Sequence, residues 1–214
     1  MSTPSLKVVV AITSPIAFHE LKNQSILQTC CDTAGTFVTR YGLGARLAIA
    51  GSKESLAQVS EFDCEKIQCD PNNAQEFAQS LRNSIPADLV MIHDSQRALT
   101  TAAQFDRVVQ ALTPGIDAVR PVSAFTETLK LISTDRSIGA DQYIEGTIDR
   151  NSMKKISTPE LIRYSAIDFE GTSSTWFVPI KADAQIATVE AESESARINS
   201  EKEINSMMHL LDRN

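Results

Sequence analysis

No stretch of this sequence approaches the ~20 consecutive apolar residues that a helix needs to cross a bilayer. The N-terminal MSTPSLK is followed by an apolar run too short for a secretory signal. Both features point to a cytoplasmic protein with no membrane partner. Basic charge is in deficit: 20 Lys and Arg stand against 27 Asp and Glu, a net charge of −7. That balance argues against a nucleic-acid partner and leaves room for a local pocket for one small anion. Cysteine is sparse. Cys30, Cys31, Cys64 and Cys69 form no C-x-x-C pair and have no histidine at ligand spacing, so they read as free or buried thiols, not as a zinc site. Internal repeats and low-complexity linkers are lacking too, and residues 1–214 read as a single domain.

Glycine is missing where it would matter most. LKVVVAI, residues 6–12, has the composition of a strand, and TSPIAFHELKNQSIL, residues 13–27, leads from it into a helix. A strand–loop–helix junction is a common phosphate site, because the helix N-terminal amides face the ligand. Such loops carry glycines and a cation. This one has no glycine, and its first lysine, Lys22, comes late.

What is present alternates regularly. Residues 6–12, 45–51, 64–69, 87–94, 117–122 and 184–191 read as strands, and 25–37, 53–62, 72–85, 101–115 and 200–214 as helices. The clearest helix has Phe105, Val108, Val109 and Leu112 on one face, Thr101 to cap its start and Pro114-Gly115 to end it. The alternation predicts a three-layer α/β/α fold with a mostly parallel sheet, and any site at the C-terminal edge of the strands. Residues 123–158 break the pattern. They contain the strand-like TLKLI and QYIEGTI but no long amphipathic helix, and read as an inserted arm.

Three motifs carry possible chemistry. GLGARL at Gly42 has phosphate-loop glycines, but it precedes a strand instead of following one, so it reads as a turn. MIHDSQRAL ends a buried strand at His93-Asp94, with Arg97 three residues on. Asp94 there can hold a metal ion bridging phosphates, and Arg97 can grip two phosphate oxygens in a fork. A structural Asp–Arg ion pair at a turn fits the same spacing. TETLK (Thr126, Thr128, Lys130), TIDR (Asp149, Arg150) and STP (Ser157, Thr158, Pro159) place hydroxyls and cations in the arm, suited to a phosphate monoester or simply to an exposed hairpin.

Taken in order, ADLVMIHDSQRALT, DAVRPV, TETLKLI, TIDR and KISTPELIR resemble the 2-C-methyl-D-erythritol 4-phosphate cytidylyltransferases, whose motifs read V-H-D-A-A-R-P, D-T-[IL]-K, V-D-R and Q-T-P-Q. Upstream, NQSIL resembles the family's G-[NQ]-[QK]-[TS]-[IVL]-L, and VEAESESARINSEKEI its C-terminal V-[ED]-G…N-I-K segment. The resemblance runs from about Leu6 to the C-terminus. It implies a nucleotidyltransferase, Rossmann-like fold, with residues 123–158 as an arm crossing a two-fold axis in a homodimer. It also implies the family reaction: the phosphate of methylerythritol phosphate attacks the α-phosphorus of CTP, pyrophosphate leaves, and Mg²⁺ assists if the chain is active. CTP and a small phosphorylated polyol would then be its ligands.

Carried over motif by motif, the resemblance assigns Asp94 and Arg97 to catalysis, with Asp94 as the metal-holding acid. Ala11 and Asp70 fall on the nucleotide side. Thr128, Lys130, Arg150, Thr158 and Arg197 fall on the substrate side, with Arg197 in place of the family's lysine. The departures concentrate at the nucleotide. The family's first loop, A-A-G-x-G-x-R…P-K, is reduced to Ile12-Thr13-Ser14 between Ala11 and Pro15, and its catalytic lysine becomes Ile16. CDPNNAQE lacks the arginine and serine of the cytosine-side segment. The threonine-aspartate motif is absent, with Ser173 the nearest substitute. Catalysis is therefore expected to be impaired or lost. The alternative is a non-catalytic relative that binds a phosphorylated metabolite or a partner protein.

Overall fold

The structure, a computed structural model, describes residues 3–132, 143–172 and 176–211. The strands are β1 Leu6–Ala11, β2 Glu20–Leu21, β3 Gln24–Ser25, β4 Ala45–Gly51, β5 Glu65–Gln68, β6 Leu89–Asp94, β7 Ala118–Ala124, β8 Leu129–Ile132, β9 Ile144–Ile148, β10 Lys154–Ile156, β11 Glu160–Arg163 and β12 Ile186–Glu190. The helices are α1 Ile26–Tyr41, α2 Lys53–Ala57, α3 Ala74–Arg82, α4 Ala102–Ala111 and α5 Glu201–Leu211. The main sheet runs β10-β7-β11-β6-β1-β4-β5, with β12 also on β7. β6, β1, β4 and β5 are mutually parallel, as are β7 and β12, whereas β10 and β11 are antiparallel to their neighbours.

Side-chain alternation along β1 builds both faces. Leu6, Val8 and Val10 meet Ile26, Leu27, Cys30 and Phe37 of α1 and Phe105 and Val108 of α4. Val9 and Ala11 join Ile67, Val90 and Ile92 against Phe77, Ala78 and Leu81 of α3. The three-layer α/β/α class expected from the alternation is the class found. Ser25 caps α1 through Gln28 N–H at 3.0 Å, and Gly42, at φ 98°, ends it where a side chain would be strained. The GLGARL segment is thus a turn.

Several boundaries differ from expectation. α2 is one short turn, Lys53–Ala57, rather than a helix to residue 62. Thr101 stands at the N-cap of α4, where its carbonyl accepts Gln104 N–H at 3.0 Å but its side chain makes no cap bond. Its hydroxyl donates instead to Glu192 at 2.6 Å, and its amide donates to the same carboxylate at 2.9 Å. β11 was not expected: ELIR is too short for a legible period, yet it sits buried between β6 and β7. β10 and β11 follow β7 in one antiparallel line, Lys154 opposite Ala124 and Ile162 opposite Ala118. The register slips by two residues across Ser157–Pro159, and this irregularity carries Ser157 and Thr158 into the interior. β8 and β9 form a separate hairpin, with Lys130 opposite Thr147.

One charge is buried far from the C-terminal edge. Lys7, 1% exposed in β1, bonds Glu65 of β5 at 2.9 Å and Ser84 Oγ at 2.6 Å. Burial pushes its ammonium down, and Glu65 pulls it back up. Removing one partner strands the other charge. Glu65→Ala should cost about 3–5 kcal/mol in urea unfolding. The paired change Lys7→Met with Glu65→Leu should recover most of that loss.

Candidate functional site

Parallel pairing sets Ala11 opposite Asp94, so the loops after β1 and β6 leave the C-terminal edge side by side. The loop after β1 is short. Ile12 N–H still bonds Ala50 O at 2.8 Å, extending the sheet by one residue. Ser14 then caps a single 3₁₀ turn, Pro15–Phe18, taking Ile16 N–H on its hydroxyl at 3.3 Å and Ala17 N–H on its carbonyl at 3.2 Å. Three amides of this junction are therefore spent on the protein itself. Ile16 is 8% exposed and packs in the core beneath α1.

Asp94, 3% exposed at its side chain, is the centre of a closed network. Arg197 Nε donates to its Oδ2 at 2.7 Å. Its Oδ1 accepts Gln96 N–H at 3.0 Å and lies 3.1 Å from the Thr13 hydroxyl, which also lies 2.9 Å from Gln96 Oε1. The second Arg197 amino group bonds Thr13 Oγ1 at 3.1 Å and Gln96 Oε1, and the first bonds Asn199. Gln96 also donates to Ile198 O, which anchors the segment that carries Arg197. The ion pair at Asp94 is made with Arg197. Arg97, the partner that spacing alone offered, instead donates to the carbonyls of Ser195 at 2.7 Å and Ile156 at 3.4 Å. Its guanidinium is largely buried, and desolvation lowers its basicity.

Asp94, Arg97, Arg197, Thr13, Asn72 and Pro71 line a cavity of about 380 Å³, with Ile156, Trp176 and Phe177 on its apolar side. Asp70 stands one step back: its Oδ1 accepts the Asn72 backbone N–H at 2.9 Å, and the Asn72 amide reaches Thr13 O at 3.0 Å. Ala11 is fully buried beneath this floor. Thr158 is buried as well. Its hydroxyl takes Asp94 N–H at 3.2 Å and pairs with His93 Nδ1 at 3.0 Å, so it fixes the end of β6. His93 is wholly buried, and desolvation pushes it down to about 4. Thr128, Lys130 and Arg150 lie exposed on the arm, with Lys130 on Thr147 Oγ1 at 2.7 Å and Arg150 on Thr126 O at 2.6 Å. None of the three lines the cavity. Ser173 lies outside the described residues. Lys22 is exposed in the β2–β3 turn and lines no part of the cavity, and Lys7 is about 13 Å up the strand from Ala11.

Thr13, Gln96, Asn72, Trp176 and Phe177 were missed in the sequence. Gln96 carried a signal: it stands where the family motif V-H-D-A-A-R has alanine. Thr13 and Asn72 lie in the shortened loop after β1 and in CDPNNAQE, segments the motifs already marked, whereas Trp176 and Phe177 had no signal because they reach the site through tertiary folding alone. The residues present do not fit a divalent cation. Asp94 has both oxygens bonded within the protein, and among the described residues no group of three or more His, Cys, Asp and Glu gathers. The cysteines are free thiols, and burial raises each, Cys31 and Cys69 to about 12.

Two measurements test this electrostatic account. Arg197→Met should lower stability by about 2–4 kcal/mol, somewhat under the full cost of a stranded buried charge because Arg197 is 35% exposed, and Asp94→Asn in the same chain should restore part of it. For His93, the unfolded chain takes up its proton near 6.5 while the folded chain resists until about 4. Its contribution is therefore whole above pH 6.5 and lost as pH falls toward 4, by about 3 kcal/mol relative to His93→Gln.

Comparison with known proteins follows the same lines. The family model described as IspD, 2-C-methyl-D-erythritol 4-phosphate cytidylyltransferase, matches residues 10–174. The cytidylyltransferase of that name from Rhodococcus jostii is 36% identical over 99 residues, 43% of this chain and 41% of that protein. The one from Corynebacterium glutamicum is 36% identical over 83 residues, 39% of this chain and 30% of that protein. The matched segments thus span less than half of the length of these relatives. Among solved structures, the 4-diphosphocytidyl-2C-methyl-D-erythritol synthase of Anaerococcus prevotii superposes with a TM-score of 0.76 at 17% identity, covering 98% of this chain and 99% of that one. The 2-C-methyl-D-erythritol 4-phosphate cytidylyltransferase of Thermus thermophilus gives 0.68 at 16%, covering 95% and 98%. The structures agree in fold, and the family match covers most of the chain: it belongs to the 2-C-methyl-D-erythritol 4-phosphate cytidylyltransferase family.

Proposed function

We propose that this chain is a family member in which cytidylyl transfer is impaired or lost and binding of a small phosphorylated molecule is kept. The observation that carries the reading is the Arg197–Asp94 pair, closed over by Thr13 and Gln96 where the family's glycine loop would lie. Phosphoryl-type transfer depends on positioned donors and cations around the α-phosphate. Here the loop arginine is absent, the lysine position is Ile16 inside the core, and the amides of Ile12, Ile16 and Ala17 are bonded within the protein. One such donor is worth roughly 10²–10³ in rate, and several are gone together. The acid that would hold Mg²⁺ is neutralised internally.

The remaining assignments follow as part of the same reading. Asp94 and Arg97 mark the old catalytic edge, Ala11 and Asp70 the nucleotide side, and Arg197 the acceptor side. Thr158 acts by positioning His93 and Asp94. Thr128, Lys130 and Arg150 act from the arm, residues 123–158. This arm exposes Leu131, Ile132, Tyr143 and Ile144 and would cross to a second copy in a cytoplasmic homodimer. A second reading, an active enzyme using CTP, methylerythritol phosphate and Mg²⁺, is favoured by the open 380 Å³ cavity beside Arg97 and Arg197.

Calorimetric titration with CTP and Mg²⁺ should give no saturable heat, and a pyrophosphate-release assay with methylerythritol phosphate should give turnover at least ~10⁴-fold below the ~10 s⁻¹ typical of enzymes. Turnover near that typical value would reverse the order of the two readings. Light scattering at micromolar concentration should report twice the chain mass, and a monomer would count against the arm.

A further inference from the structure

Gln96, 1% exposed in the turn after β6, touches both members of the Asp94–Arg197 pair. Its backbone N–H donates to Asp94 Oδ1 at 3.0 Å. Its side-chain carbonyl accepts the second Arg197 amino group, and its side-chain amide donates to the carbonyl of Ile198, the next residue along. One buried amide therefore grips the guanidinium at its tip and the backbone beside its base. We propose that Gln96 is a latch that keeps divalent cations off Asp94, by fixing Arg197 as the standing counter-ion of that carboxylate. The latch deepens the reading above, on which its place in the site rests: it names the residue that shuts the acid to metal.

Arg197 is 35% exposed at its side chain, against 3% for Asp94. A long cationic side chain at a cavity mouth gains rotamer freedom by leaving for water, and a part-exposed pair holds weakly on charge alone. The Arg197 guanidinium is held at three further acceptors: Gln96 Oε1, Thr13 Oγ1 at 3.1 Å and Asn199 Oδ1. Of these residues only Gln96 is buried; Asn199 is exposed, and the Thr13 hydroxyl lies 2.9 Å from Gln96 Oε1. With Arg197 latched, Asp94 Oδ2 carries the guanidinium and Oδ1 carries an amide. A divalent ion at either oxygen would then stand beside a fixed like charge with little water between them, where repulsion is strong. With Arg197 released, an almost solvent-free carboxylate would face the cavity of about 380 Å³, with the Thr13 hydroxyl beside it and room for the waters that Mg²⁺ or Mn²⁺ keeps. The latch can be removed without undocking the segment. The Gln96 backbone carbonyl accepts Ile198 N–H at 2.9 Å, a bond that Gln96→Ala leaves in place.

Electron paramagnetic resonance of free Mn²⁺ during titration with the whole chain tests the latch. The unmodified chain should show no saturable binding. Gln96→Ala should bind one Mn²⁺ per chain at least about tenfold more tightly, and Arg197→Met should do the same, because the latch acts through Arg197. Asp94→Asn added to Gln96→Ala should abolish the site. If near-UV circular dichroism shows Gln96→Ala unfolded, Gln96→Met takes its place, since it keeps the buried volume without the amide. Equal Mn²⁺ affinity in the unmodified chain and the folded Gln96 variant would overturn the latch. So would binding in Arg197→Met but in neither Gln96 variant, silence in all of them, or a site in Gln96→Ala that survives Asp94→Asn. The pyrophosphate assay on the unmodified chain judges the loss of transfer separately. Slow turnover with Mn²⁺ bound at Asp94 of the unmodified chain would remove the latch and leave that loss standing.

Discussion

A carboxylate at the end of a central strand cannot stay charged out of water without a counter-charge, and the ion pair between Asp94 and Arg197 supplies it. Asp94 sits at the C-terminal end of β6, flanked by β1 and β11 and almost without solvent. Desolvating such a group costs several kcal/mol, which a good partner must offset. Arg197 comes from the segment after β12, so the pair ties the C-terminal part of the chain to the middle of the sheet. Gln96 strengthens the tie by bonding both the guanidinium and the Ile198 carbonyl. Geometry and site are set together here: the cation that pairs with Asp94 also lines the cavity at the strand ends.

The reduction of the first loop is accommodated by ordinary packing. A loop that presents amides and cations to phosphate leaves polar groups needing a ligand, whereas three residues and a capped 3₁₀ turn leave few. Ser14 satisfies the turn, Thr13 bonds Asp94, and Ile16 packs in the core. The loop after β1 brings no cation to the cavity, whose two arginines, Arg97 and Arg197, come from the turn after β6 and the segment after β12.

The alternating strands and helices were legible because each long element carries a period that burial on a sheet or against it enforces. The GLGARL turn was legible from its order relative to the strand. Short elements were not. β11 is four residues and buried on both faces, so it shows neither alternation nor length, and α2 stops after one turn where a ten-residue helical pattern was read. Among site residues, motif order located Asp94, Arg97 and Arg197, which do line one cavity. It also assigned Thr158 to a substrate role, although its hydroxyl is taken up by His93 and the Asp94 amide.

By itself, the sequence determined the layered α/β class, the family, the missing glycines and cation, and the net acidity, since all of these are properties of composition, period and order along the chain. Only the tertiary structure decided which arginine meets Asp94. Arg97 is three residues away, but the turn after β6 directs it to the carbonyls of Ser195 and Ile156. Arg197 is 103 residues away and arrives with β12, which pairs with β7. Proximity in sequence constrains a side chain through its backbone turn, whereas a buried charge is matched by whichever partner the folded sheet brings within reach.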